Sequence, residues 1–429
     1  MMIDRTQAPK IHSFVSPDLL PMEIRRLDNG IEVCQLTNRD YRLIRMDVRV
    51  KAGSRFQSFP GVAQTTAKML LEGTLPHPDA QWSACMEALG AYADVFAERD
   101  FVRFSFHFPQ EAVMQALPLL AEIFISPLFS DERLQIVRIQ HKQQLSVQLQ
   151  KSSFIAYRTF LSALFGQHSY GQFLSLEEMD GWTIALLRQF FEDCYVPESM
   201  RIFVAGNITE TFWTCLNRCL GQWSRRSFRG VCPEMVLAST PQCCFVLRPD
   251  SVQSSICLGK VLPVRRGVRE WMALQLSNRI LGGYFGSRLM TEIRERSGLA
   301  YGISSHLLSR RHAGLLCITA DIDAERIREA LDKVRREVKK LSETRIGQDE
   351  LDLVKNYEYG SLLRSFDGLF SVMERYMETD DAGLPPEEWK AYFSFIPTFD
   401  AETLQQTATT FLDPESFTEV VVGKEPYKP

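Results

Sequence analysis

Apolar positions along this chain recur with two periods. Apolar–polar alternation or short apolar runs, the signature of strands, occupy 30–36, 44–50, 101–108, 200–205, 254–260, 314–320 and 418–422. The first of these follows an Asp28-Asn29-Gly30 turn. Helical spacing predicts long helices over 111–125, 130–149, 325–341 and 348–365. In the third, Ile327, Leu331, Val334, Val338 and Leu341 fall on one side. The basic run 334–340 then becomes the wet face of an amphipathic helix and not a nucleic-acid patch.

The pattern repeats. PESMRIFVAG at 197–206 returns as PESFTEVVVG at 414–423, 217 positions later, and TIALLRQFF at 183–191 faces DAETLQQTA at 400–408 at the same offset. VAQTTAKMLLEG at 62–73 resembles MALQLSNRILGG at 272–283, offset by 210. Two matches in the same order imply a tandem duplication of a unit of about 210 residues. Strands interleaved with helices in each copy predict two homologous lobes, each a two-layer unit of strands and helices. The weakly periodic stretch QWSRRSFRGVCPEMVLASTP suits a linker. The expected division is a first lobe over 1–225, a linker over 226–242 and a second lobe over 243–429.

Composition narrows the function. With 429 residues, 45% of them hydrophobic, there is material for more than one core. A net charge of −4 gives no global field for nucleic acid or an anionic membrane. Nowhere do eighteen apolar residues run together, and MMIDRTQAPKIHSF has no apolar h-region, so neither a membrane span nor a secretory signal is expected. The ten cysteines include no C-x-x-C and are expected to be reduced thiols in a cytoplasmic protein.

Several stretches carry a resemblance. They are LDNGIEV at 27–33, Ala52-Gly-Ser-Arg55, GAYADVFAERD at 90–100, HSYGQ at 168–172, YVPESMRIFVAGN at 195–207 and Gln253-Ser-Ser255. The most specific is LGGYFGSRLMTEIRERSGLAYGISS at 281–305. Together, nearly end to end, the chain resembles the insulinase/pitrilysin (inverzincin) family of zinc peptidases. The resemblance implies an α+β fold of two homologous lobes, each a mostly antiparallel sheet covered by helices, forming a clam shell. Active members carry H-x-x-E-H on a helix. Histidines at i and i+4 share a face and grip one zinc, the glutamate at i+3 takes a proton from the bound water, and a carboxylate on a later helix completes the site. Here those positions are Gln64, Ala67 and Lys68, and the later helix carries Gln143 and Gln144. Alanine cannot be a base, and an ammonium repels a dication.

No replacement site is evident. Histidines 12, 77, 107, 141, 168, 306 and 312 include no pair three to five residues apart. Asp321 and Asp323 are expected to cap the helix after them. No metal and no cofactor are therefore expected on this chain. Gly282-Gly283 and Gly286 lack the Gly-Lys-Ser/Thr ending of a phosphate loop.

What persists is Arg294 and Tyr301, seven residues apart. The resemblance implies that this pair reaches a zinc site from the second lobe, hydrogen-bonds the substrate backbone and helps hold the developing oxyanion. A helix ending near Arg296, a left-handed cap at Gly298 and a strand opened by Tyr301 suit that task. Arg288 is expected to pack and Arg296 to be solvated. The resemblance also places 90–100 as a substrate-pairing edge strand, with Asp94-Val95 where the family usually has Asn-Ala.

Loss of the metal helix with retention of the pair resembles one subunit of the bacterial heterodimeric members. The resemblance implies a partner subunit carrying H-x-x-E-H and zinc, a composite site that hydrolyses peptides, and inactivity of this chain alone. The rival expectation is a non-catalytic scaffold that keeps only the fold.

Overall fold

The computed structural model describes residue 6 and residues 20–231 and 240–424. The middle of the expected linker, 232–239, and His12 lie outside the described residues. Strands β1 (Glu23–Arg26), β2 (Glu32–Thr37), β3 (Leu43–Val50), β4 (Tyr92–Ala97), β5 (Val102–Pro109) and β6 (Met200–Gly206) form one sheet, in the order β1-β2-β6-β3-β5-β4. Strands β7 (Cys243–Leu247), β8 (Gln253–Leu262), β9 (Ala300–Ser309), β10 (Gly314–Asp323) and β11 (Thr418–Gly423) form a second, in the order β7-β11-β8-β10-β9. Only β2/β6 and β7/β11 pair in parallel; the other pairings are antiparallel. Without β1, the first sheet has the strand order of the second, as a duplication requires. The α+β fold of two like lobes is thus observed.

The side-chain pattern explains each sheet. In β5, Val102, Phe104, Phe106 and Phe108 are fully buried while Arg103 and His107 alternate with them. Some helices begin where a side chain accepts a free backbone N–H. Ser130 Oγ accepts from Arg133 N at 3.2 Å ahead of the Asp131–Leu149 helix, and Asp400 Oδ1 from Thr403 N at 2.8 Å ahead of Ala401–Phe411.

The two repeats exchange helices. Ser152–Phe165, from the first, packs Ala156, Phe160 and Leu164 on Cys257, Leu315 and Val420 of the second sheet. Leu369–Asp381, which begins 217 residues later, lays Val372, Met373 and Tyr376 on Cys34, Leu36 and Phe203 of the first. Each sheet therefore has a second apolar face covered by the other half, so neither lobe completes its burial alone.

Ion pairs reinforce one of these joints. Glu374 accepts from Arg45 at 2.5 Å and Arg103 at 2.6 Å, and Arg49 and Arg201 both pair with Asp380. Between the lobes lies a cavity of about 540 Å³, bounded by Arg49, Asp100 and Phe101 on one side and by Arg266, Trp271 and Arg310 on the other.

Candidate functional site

The helix that should bear metal ligands is Val62–Leu70. It is entered through Gly61 at φ +80°, a left-handed turn. A Cβ on Gly61 would lie 2.6 Å from the Trp182 ring, whose Nε1 donates to Pro60 O at 2.9 Å. Glycine is thus required for both the turn and the close approach. On this helix Ala67 is fully buried in the core, Gln64 is exposed, and Lys68 is half-exposed with Nζ 3.9 Å from Glu72.

The Asp131–Leu149 helix packs against it. Residues 141, 144, 145 and 148 recur at helical spacing, and His141, Gln144, Leu145 and Gln148 together line a cavity of about 450 Å³ that Gln64 also borders. Gln143 points off that face and is exposed. Of the two expected positions for the third ligand, only Gln144 borders the same cavity as Gln64.

His141 was not singled out from the sequence. Its ring stands edge-on to Trp182, 5.6 Å between centroids, and its Nδ1 is buried without a partner. Burial, aided by the Lys68 ammonium, pushes its pKa down to about 4, so it is neutral at pH 7. Its place on the face of Gln144, one turn earlier, was the signal that could have found it.

One imidazole, two amides, an ammonium and an alanine do not make a zinc site. Among the described residues no three His, Cys, Asp or Glu side chains are grouped to hold a metal. Asp323 does cap the following turn, its Oδ1 accepting from Glu325 N at 3.1 Å. Asp321 does not: its Oδ1 accepts from Ser255 Oγ at 2.5 Å across the β8/β10 ladder, which holds it on the sheet.

Arg294 and Tyr301 come together. A helical stretch, Met290–Arg296, ends at Gly298 (φ +57°), and β9 begins at Ala300. This turn brings the Arg294 guanidinium over the Tyr301 ring at 5.2 Å and over Phe285 at 5.0 Å. Tyr301 is 83% exposed and Phe285 is 64% exposed. Phe285 was missed because nothing in the sequence distinguishes a surface phenylalanine from a packed one. No hydrogen bond, ion pair or ring contact joins Arg294 or Tyr301 to Gln64, Lys68 or Gln144 among the described residues. Arg288 is engaged by Glu350 at 2.8 and 2.9 Å, and Arg296 lies in solvent with Glu292 3.7 Å away.

Strand β4, with Asp94 and Val95, is the outer strand of its sheet and pairs with β5 alone. Asp94 Oδ1 accepts from the Val95 N–H at 2.7 Å, so one backbone donor of this strand is held locally.

Residues 37–175 match the family model for insulinase (peptidase family M16), and 181–357 match the model for the peptidase M16 inactive domain. An "uncharacterized zinc protease YmxG" of Bacillus subtilis is 25% identical over 352 residues, covering 81% of this chain and 85% of that protein. An uncharacterized zinc protease of Mycobacterium tuberculosis is 25% identical over 336 residues, 76% of each chain. A crystal structure of a peptidase M16 inactive domain from Pseudomonas fluorescens superposes with a TM-score of 0.84 at 22% identity, covering 96% of this chain and 99% of that one. A protease from Helicobacter pylori superposes at 0.85 with 16% identity, covering 95% and 100%. No described helix is long and apolar enough to cross a membrane.

Proposed function

Because this chain belongs to the insulinase (M16) family of peptidases, we propose that it is the accessory subunit of a composite peptidase. It would lend Arg294 and Tyr301 to a zinc site carried by a partner with H-x-x-E-H. The observation that carries the reading is the contrast between the lobes. The first has amides, a lysine and an alanine at the metal positions, while the second presents an arginine stacked on an exposed tyrosine.

The partner's zinc would polarise the scissile carbonyl and activate water. On this chain, Arg294 supplies a permanent charge and Tyr301 a directed O–H to the carbonyl oxygen as negative charge builds on it. Their stacking holds the guanidinium in place before substrate arrives, and a group already oriented pays less reorganisation in the transition state. Alone, the chain has no base and no metal donor set at the corresponding positions, which supports its inactivity without a partner.

Affinity purification of the tagged chain from its native cells, with mass spectrometry of what co-purifies, tests this. A stoichiometric partner bearing H-x-x-E-H is the expected result. Recovery of the chain alone, or only with proteins lacking that motif, would overturn it in favour of a scaffold.

A further inference from the structure

The 450 Å³ cavity beside Gln64 and Gln144 carries an unbalanced charge. Its charged lining is Arg99, Arg158 and Arg310 against one carboxylate, Glu98. None of the three arginines is in an ion pair within 4.0 Å among the described residues. Two are fixed instead by backbone carbonyls. Arg99 Nη1 donates to Ser169 O at 2.7 Å and Gln172 O at 2.9 Å, and Arg158 Nη2 to Leu174 O at 3.0 Å. Both guanidinium groups also lie over the Phe173 ring, at 4.8 and 5.1 Å, while Arg310 lies 5.5 Å from Tyr170. Glu178, which acts on Arg158, is engaged by the Ser175 N–H at 2.7 Å.

Gathering three cations against a single lining carboxylate, none of them in a close ion pair, is unfavourable unless a ligand supplies further negative charge. Burial, followed by the neighbouring Arg310, pushes the Arg99 pKa down to about 10, the direction expected of a cation lacking its anion. Planar guanidinium forks held by backbone and ring contacts are organised in advance for carboxylate. The rest of the lining is neutral, with Gln57, Gln64, Gln144 and Gln148 offering amides that can donate or accept. The cavity also begins where β4 ends. Ala97 closes that edge strand, and Glu98 and Arg99 follow directly into the lining. An extended chain lying along the edge would be led into the arginines.

We propose that the vacated metal pocket is a carboxylate-binding site for peptides, taking a C-terminal carboxylate or an acidic side chain of an extended chain. This goes beyond the accessory-subunit reading and stands without a partner. Binding is measured on this chain alone, so failure here and failure to find a partner are separate results.

The test is fluorescence anisotropy of the full chain with a labelled, extended peptide of mixed sequence containing two glutamates and a free C-terminus. It is compared with the C-terminally amidated form, the Glu→Gln form and the peptide carrying both changes. Saturable binding of the first, weakened about tenfold by Arg158→Gln/Arg310→Gln, is expected. Loss on amidation assigns the terminus, and loss on Glu→Gln assigns the side chain. Gln144→Glu, at an exposed position of its helix, should weaken binding comparably with no change in melting temperature. The proposal is overturned if no saturable binding occurs, if the doubly neutral peptide binds as well as the acidic one, or if the normally folded Gln144→Glu variant binds like the parent.

Discussion

The Arg294 guanidinium stands over the Tyr301 ring, 5.2 Å from its centroid, although Tyr301 is 83% exposed. An exposed cation–π contact of this kind stabilises by only about 0.5–1 kcal/mol. That is too little to account for folding but enough to restrict a long side chain. Neither side chain spends its hydrogen-bonding groups on other described residues, so both remain available to a ligand.

Stability should depend on pH through His141. Its folded pKa, about 4, lies below the unfolded value near 6.5, so the unfolded chain binds more protons between those limits. The contribution is fully present above about pH 6.5 and is lost as pH falls towards 4. Urea melts at pH 7 and pH 5 should show a loss of roughly 1–2 kcal/mol that His141→Gln reduces. An unchanged pH slope in the variant would place the effect elsewhere.

Glu374 joins the two halves, accepting from Arg45 on β3 and Arg103 on β5. Glu374→Ala leaves two partly buried guanidinium groups without this partner. It should cost about 2–3 kcal/mol, less than a fully buried pair because all three side chains retain some solvent contact. Denaturant titration measures it. A midpoint equal to the parent's would show that the apolar contacts of the Leu369–Asp381 helix hold the joint unaided.

Metal removal should leave the chain unaffected. A ligand bound only by the folded state raises its stability, so chelation lowers the melting temperature of a protein that depends on a metal. Scanning calorimetry with and without a chelator, and with added zinc, should give superimposable transitions for the isolated chain. A transition raised by zinc would reveal a site assembled around His141.

Much of the fold was legible because it rests on local periodicity. The alternation through Phe104, Phe106 and Phe108 predicts a strand, and the repeated Pro-Glu-Ser at 197 and 414 predicts two like units. The exchange of the Ser152–Phe165 and Leu369–Asp381 helices was not legible. Their apolar faces look alike whichever sheet they cover, and the Arg45–Glu374 contact spans 329 residues. At the site, Gln64 and Gln144 border one cavity, whereas Gln143 lies off that face by one residue's rotation along the helix. The arginine lining was hidden for a different reason. Arg99, Arg158 and Arg310 come from separate segments, and only the folded chain shows that, among the described residues, no carboxylate forms an ion pair with any of them.

The central claim is tested most directly by steady-state peptide hydrolysis of the complex reconstituted from this chain and its H-x-x-E-H partner. Parent, Arg294→Ala, Tyr301→Phe and the double variant are compared. The account predicts no hydrolysis by this chain alone. It predicts kcat lower by roughly 10²–10³ in the double variant, with unchanged complex assembly. Hydrolysis at the parent rate by the assembled double variant would contradict it and leave the pair without a catalytic role.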